Sequence, residues 1–303
     1  MLLMALLTTL VSKSWLGKNL GPHVVAYITQ DQVYAEPILA EFTRQTGLRV
    51  RPVFDSEAVK TVAIANRLLA ERKHPQCDVY WGNEELRTRQ LEAQGIFRET
   101  NAWAAVGYRT RRLVVNTNRL ALVSAPRSLL ELTNTVWRGR VAMAYPLFGT
   151  TSTHLLALRQ HWGEAGWLNW CRALRANRPF VVDCNSVVLQ FVTRGEADVG
   201  LTDSDDVAAA QREGAPVAAM PVNEETLAIP NTIAVVRGAP HPEQAQRLFD
   251  YLQRAEVVER LVTARALEGV RRPKETSFLQ PAWSDLLREL DATTEKVRDL
   301  FRQ

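Results

Sequence analysis

The chain has 303 residues, 46% of them hydrophobic and 23% charged, with a formal net charge of +4. This composition excludes a disordered or fibrous protein and is long enough for two α/β lobes or one large domain. Its basic residues are scattered, which argues against nucleic-acid binding; the densest groups, Arg109, Arg111, Arg112 and Arg271, Arg272, Lys274, read as surface charge beside strands and helix ends.

In chain order, an apolar run over residues 1–11 comes first. It is too short to span a bilayer and has the look of a secretory signal core, without a basic segment ahead of it or a clear small-x-small cleavage site. Residues 1–22 are therefore expected to be a signal-like or anchoring leader, and the protein to be periplasmic or membrane-tethered outside the cytoplasm. A strand follows at 24–28, then a helix at 33–47 with Gly47 as C-cap, a strand at 48–54, a helix at 57–73 ended by His74-Pro75, a strand at 78–81 and a helix at 83–94. Such a βαβαβα run is the sign of a doubly wound parallel sheet. A strand at 113–116 leads into a second α/β unit. Helices are expected at 128–132, 151–162, 167–176 and 185–194, and strands at 141–144, 180–182 and 197–201. A strand at 232–236 crosses back, and helices at 242–253, 256–264 and 284–301 complete the chain. The domain reading is lobe 1 over 23–115 plus 232–275, lobe 2 over 116–231, and a C-terminal helix over 276–303. Two crossings between two lobes place a cleft between them, which suits a ligand clamp that closes by hinge motion.

Several residues gather on the predicted cleft. The segment GEADVGLTDSDD runs from an apolar strand straight into Asp203, Asp205 and Asp206. Carboxylates so close repel one another unless helix amides, basic neighbours or a cation offset them. Gly149 followed by Thr150, Thr151 and Ser152 reads either as an anion site at a helix start or as an ordinary N-cap, and Asn185 with Ser186 has the same two readings. Asp31, Glu57, Glu84 and Glu85 follow strand ends on the same side of the sheet. Trp81 is expected in the core. Cys77, Cys171 and Cys184 form no zinc or CxxC pattern, and Cys77 and Cys184 read as small buried side chains. The five histidines do not cluster, no GxxxxGK[ST] or GxSxG motif is present, and no nucleophile–base pair supports an enzyme.

Four stretches, VVAYITQDQVYAEPILAEFTRQTGLRV, CDVYWGNEE, LLELTNTVWRGRVAMAYPLFGTTSTH and NSVVLQFVTRGEADVGLTDSDD, carry a resemblance over residues 24–273. In this the chain resembles the periplasmic substrate-binding proteins of ABC importers, in the ferric-iron-binding branch of the type II fold. The resemblance implies an α/β protein of two lobes, each a doubly wound, mostly parallel sheet, with two hinge crossings. In the iron binders two adjacent tyrosines follow the corresponding strand as ferric ligands; Asp205 and Asp206 stand at those positions here. Asp31 falls where those members commonly place a histidine, and Glu57 near a further carboxylate ligand. Thr151, Ser152 and Asn185 fall where the companion anion is held. The resemblance thus implies Asp31, Glu57, Asp205 and Asp206 as oxygen donors to a hard cation. The same groups are equally suited to sugar-like hydroxyls while Thr151, Ser152 and Asn185 hold a phosphate, and some relatives of the iron binders carry phosphorylated small molecules. The expected function is capture of a metal ion, with ferric iron named from the resemblance, for delivery to a permease and its ATPase by a monomer with no cofactor beyond the transported ion. A phosphorylated organic anion such as a sugar phosphate is the alternative ligand, and a ligand-sensing domain the alternative role.

Overall fold

The computed structural model describes residues 21–56, 60–271 and 278–302, so residues 1–20 of the expected leader over 1–22, and Glu57, lie outside the described residues. β1 (His23–Ile28), β2 (Arg49–Val53) and β3 (Val79–Gly82) run parallel in the order β2-β1-β3. They are joined through α1 (Gln32–Thr46) and α2 (Lys60–Ala70), and α3 (Glu85–Ala93) follows β3. All four residues of β3 are buried, as expected of a parallel strand covered on both faces. Gly47 closes α1 with φ 69°, its N–H donating to the Thr43 carbonyl at 2.9 Å.

β4 (Trp103–Asn116) is the long strand at the centre of the molecule. The sequence predicts a strand only over 113–116, because Arg109, Arg111 and Arg112 interrupt the apolar pattern upstream. The structure extends it by ten residues and turns two of those arginines inward. A second parallel set follows, β5 (Val141–Ala144), β6 (Phe180–Val182) and β7 (Val199–Asp203), with α4 (Gly149–Ala176), α5 (Asn185–Arg194), α6 (Ser204–Arg212) and the short β8 (Val217–Ala219). The α4 span is two helices that meet at a kink at Gly163 (φ 72°, ψ 162°), in line with the two helices the sequence predicts on either side of it. α6 and β8 are not predicted at all. β9 (Ala228–Val235) then pairs antiparallel with β3 on one side and β4 on the other.

The strand order is β2-β1-β3-β9-β4-β7-β5-β6, with β8 alongside β4. β9 and β4 therefore join two α/β halves, one cored by α1, α7 (Pro242–Leu252) and α8 (Ala255–Thr263), the other by α4, α5 and α9 (Trp283–Phe301). This is the two-lobed α/β architecture that the resemblance implies. α9 packs on α4 and reaches α3, burying Leu286, Leu290, Val297 and Phe301 in the core of the second half. No helix among the described residues is long and apolar enough to cross a membrane.

Candidate functional site

Arg109 and Arg111 lie two apart on β4 and so face the same side of the sheet. The antiparallel register sets Arg111 directly opposite Asp203, the last residue of β7. Arg111 donates to Asp203 Oδ1 at 2.7 Å, and Arg109 reaches Asp203 Oδ2 at 3.2 Å. Thr150 Oγ1 donates to the same Oδ2 at 2.9 Å and Asn185 Nδ2 at 3.2 Å. All three charged side chains are at most 3% exposed. Charges buried this deeply persist only when paired and hydrogen-bonded. Burial works against the Asp203 anion, but Arg111 and Arg109 outweigh it and hold the carboxyl below its usual range. Asp203, predicted as a ligand contact, is thus the hub that ties β4, α4 and α5 to β7, with both oxygens already engaged. The two arginines, predicted as surface charge, are its partners.

Asp205 and Asp206 sit in the first turn of α6, where the free amides and the helix dipole favour carboxylates. Asp205 is 5% exposed, and its Oδ1 accepts no hydrogen bond although Arg109 Nε lies 3.4 Å away. Burial pushes its carboxyl up to about 7 against the pull of Arg109. Asp206 accepts from Thr202 Oγ1 at 3.1 Å. One oxygen from each of Asp203, Asp205 and Asp206 lies within 4.8 Å of the others. Across from them, Asp31 caps the start of α1 without a side-chain cap bond and pairs with Lys60 at the start of α2.

These groups line one cavity of about 60 Å³, together with Gln30, Asn83, Tyr145, Thr150, Thr151 and Asn185. A second cavity of about 380 Å³ shares Gln30, Asp31, Lys60, Asp205 and Asp206 and adds Tyr34, Phe54 and Ser186. Thr150, Thr151 and Asn185 thus bring the N-terminal turns of α4 and α5 to the cleft. Gly149 makes the turn into α4 at φ 54°, a conformation natural to glycine.

Three predicted residues lie elsewhere, the first being Glu85, which pairs with Arg89 at 2.6 Å and lines neither cavity. Glu84 is a helix cap: its carboxylate accepts from the Leu86 and Arg87 amides at 2.8 Å each and from Thr153 Oγ1 at 3.0 Å, and burial raises its pKa. It joins α3 to α4 and is absent from the lining of both cavities. Ser152 is buried one step behind Thr151, off the cavity wall. Cys184, predicted as buried, is partly exposed and lines the inner cavity, while Trp81 is in the core as predicted. Lys60, Gln30 and Arg109 are cleft residues that the sequence does not mark, and Arg111 stands behind Asp203, off the lining of both cavities. The one local signal was the Arg-x-Arg spacing ahead of an apolar LVV run, which puts two cations on one face of a strand.

A family model described as bacterial extracellular solute-binding protein matches residues 23–263. The major ferric iron-binding protein of Neisseria meningitidis is 24% identical over 200 residues, 60% of this chain and 58% of its own length. An Fe(3+)-binding periplasmic protein of Serratia marcescens is 26% identical over 59% of this chain and 56% of its own. The chain thus spans less than two thirds of the length of these curated relatives. Among solved structures, iron-bound HitA from Pseudomonas aeruginosa superposes with a TM-score of 0.81 at 18% identity, covering 93% of this chain and all of the other. AfuA from Actinobacillus pleuropneumoniae with fructose-6-phosphate bound gives 0.76 at 19% identity, over 93% of this chain and 99% of the other. At these identities the structural likeness speaks for the fold.

Proposed function

The chain belongs to the bacterial extracellular solute-binding protein family, and on that premise we propose that it is the substrate-binding component of an ABC importer that captures a hard metal cation, ferric iron foremost. It would act outside the cytoplasm as a monomer and deliver the ion to a permease coupled to an ATPase. The observation that carries the ligand class is the convergence of the three carboxylates of β7 and α6 within 4.8 Å, facing Asp31 across the inner cavity. Carboxylate oxygens suit a hard cation. A cavity of about 60 Å³ has room for roughly four to six water-sized groups, the scale of an ion with a companion anion. Asp31, Asp205 and Asp206 would ligate the ion, with Glu57 kept as a candidate from the sequence. Asp203 would hold the arginines in place, and Thr150, Thr151 and Asn185 would hold the companion anion. The relatives named for ferric iron support this reading.

A second reading, a phosphorylated small organic anion, is favoured by one feature. Lys60 and Arg109 line the inner cavity beside two helix starts, and the larger outer cavity with Tyr34 and Phe54 opens from it. A phosphate inside and an organic body outside would use both spaces. Thermal-shift titration separates the readings, because bound ligand stabilises by mass action. Ferric citrate should raise the melting point and fructose 6-phosphate should not. D205N/D206N should remove the ferric shift, and a shift that survives both substitutions takes these carboxylates out of the site. A response to fructose 6-phosphate with none to any metal would replace the first reading by the second.

A further inference from the structure

Gln30 stands in the turn between β1 and α1, is 2% exposed, and lines both the inner and the outer cavity. Its Oε1 accepts from Asn231 Nδ2 at 2.9 Å. Its Nε2 is buried and has no hydrogen-bond partner among the described residues. The orientation of this amide is dictated from behind. Arg109 Nη1 lies 3.3 Å from Asn231 Oδ1, and a guanidinium only donates. Asn231 must therefore turn its oxygen to Arg109 and its NH2 group to Gln30. Gln30 in turn must present its oxygen to Asn231, which leaves its own NH2 group as a donor without an acceptor. Arg109 is itself fixed, by Asp203 and by the Asn83 carbonyl at 2.9 Å.

We propose that Gln30 is a specificity-determining residue of the cleft, whose side-chain amide donates to an oxyanion oxygen carried by the ligand. This rests on the reading of the cleft as the ligand site. An amide nitrogen has its lone pair delocalised and does not ligate a metal, and its hydrogens repel a cation. A bare ion would thus leave Gln30 as unsatisfied as before, whereas an anionic oxygen completes the relay Arg109–Asn231–Gln30–ligand. The oxygen has two chemical sources, a companion anion that arrives with a metal or the phosphate of an organic ligand, and both present the same acceptor. Gln30 lies on the lobe 1 side, opposite the helix starts at Thr150 and Asn185, so the oxyanion would be gripped from both halves as the cleft closes.

The substitution Gln30→Glu keeps the shape and the acceptor for Asn231 but replaces the donor by a second acceptor. Gln30→Met removes both functions at similar size. Calorimetric titration of each with ferric citrate, inorganic phosphate and fructose 6-phosphate, beside wild type and Asp205→Asn, tests the proposal. Wild type should bind at least one of these oxyanion probes, and Gln30→Glu should weaken that binding by roughly ten- to a hundredfold, the scale of a lost hydrogen bond to a charged group. Gln30→Met should weaken it by about tenfold or more, with the melting point of the ligand-free protein showing whether the fold survives. The probe that responds identifies the source of the oxygen. Wild-type affinity in Gln30→Glu overturns the proposal, as does binding of a metal chloride whose affinity none of the anions alters. If Asp205→Asn weakens binding and Gln30→Glu does not, the Gln30 assignment alone falls; if neither matters, the cleft reading falls with it.

Discussion

Arg111 has the least exposed side chain of the charged residues at the site, and its environment states what it is for. Its guanidinium meets Asp203 at 2.7 Å and Asn185 Oδ1 at 3.0 Å, with its side chain 0% exposed. Such a pair need not stabilise more than an apolar replacement of both partners, yet removing one partner strands the other. Arg111→Met should therefore lower the free energy of unfolding by about 3–5 kcal/mol in urea titration, whereas the double variant with Asp203→Leu should recover part of that loss. A second residue-scale expectation concerns His154 on α4, 1% exposed, whose Nε2 lies 2.7 Å from the Glu225 carbonyl and so carries the hydrogen. Burial, helped by Arg111, pushes its pKa down to about 3. An unfolded histidine titrates near 6.5. Between these values the unfolded chain binds a proton that the native protein refuses, so stability rises with pH across this window. The His154 contribution is complete above about 6.5 and is lost as the pH falls toward 3. His154→Gln, which can still donate to Glu225, should flatten this acid limb in denaturation measured from pH 3 to 7; an unchanged limb would assign it to other groups. These residues show why the site was only partly legible. Asp203, Asp205 and Asp206 announced themselves by crowding within four positions. Arg109 and Arg111 did not, because an arginine on a strand is ordinarily solvated and only its partner, ninety-odd residues away in sequence, makes it a buried one.

At the scale of elements, β4 decides where the cations point. Its pairing with β9 shifts register between Val106 and Arg109, at a bulge where Gly107 has φ 59°. A bulge inserts a residue into one strand and re-aims the side chains beyond it. Here those side chains are Arg109 and Arg111. A Cβ on Gly107 would lie 2.4 Å from Leu267 Cδ1 and 3.0 Å from the Gly269 carbonyl, and the backbone angle is itself unfavourable for other residues. Gly107→Ala should lower stability by about 1–3 kcal/mol. It should also weaken ligand binding, since Arg109 anchors both Asp203 and the Asn231–Gln30 relay; normal affinity in a destabilised variant would separate the bulge from the site. α6 is the complementary case. Ser204 to Arg212 begins with acids and continues with alanines, a good helix sequence to which the sequence reading assigns no element. The helix itself explains why two of those acids are tolerated, because its amides face them.

At the scale of the whole molecule, the two halves are tied by β4, β9 and α9. α9 supplies Leu286, Leu290, Val297 and Phe301 to the core of the second half while touching α3 of the first. Phe301, fully buried near the end of the chain, should contribute as a core residue rather than a tail: Phe301→Ala is expected to cost about 3–5 kcal/mol, read from the midpoint of urea unfolding. A change below about 0.5 kcal/mol, the range of surface substitutions, would show α9 to be an appendage. The sequence alone determined the alternation of strands and helices in each half, apart from α6, β8 and the first ten residues of β4, together with the Gly47 cap and the position of the acids at a strand end. Each of these is written in the periodicity and end signals of neighbouring residues. Only the tertiary structure decided which charges meet. The facing of Arg111 and Asp203, the bulge at Gly107 and the turning of Gln30 toward the cleft all depend on the register of strands far apart in the chain, and a shift of one residue would send those side chains to the opposite face.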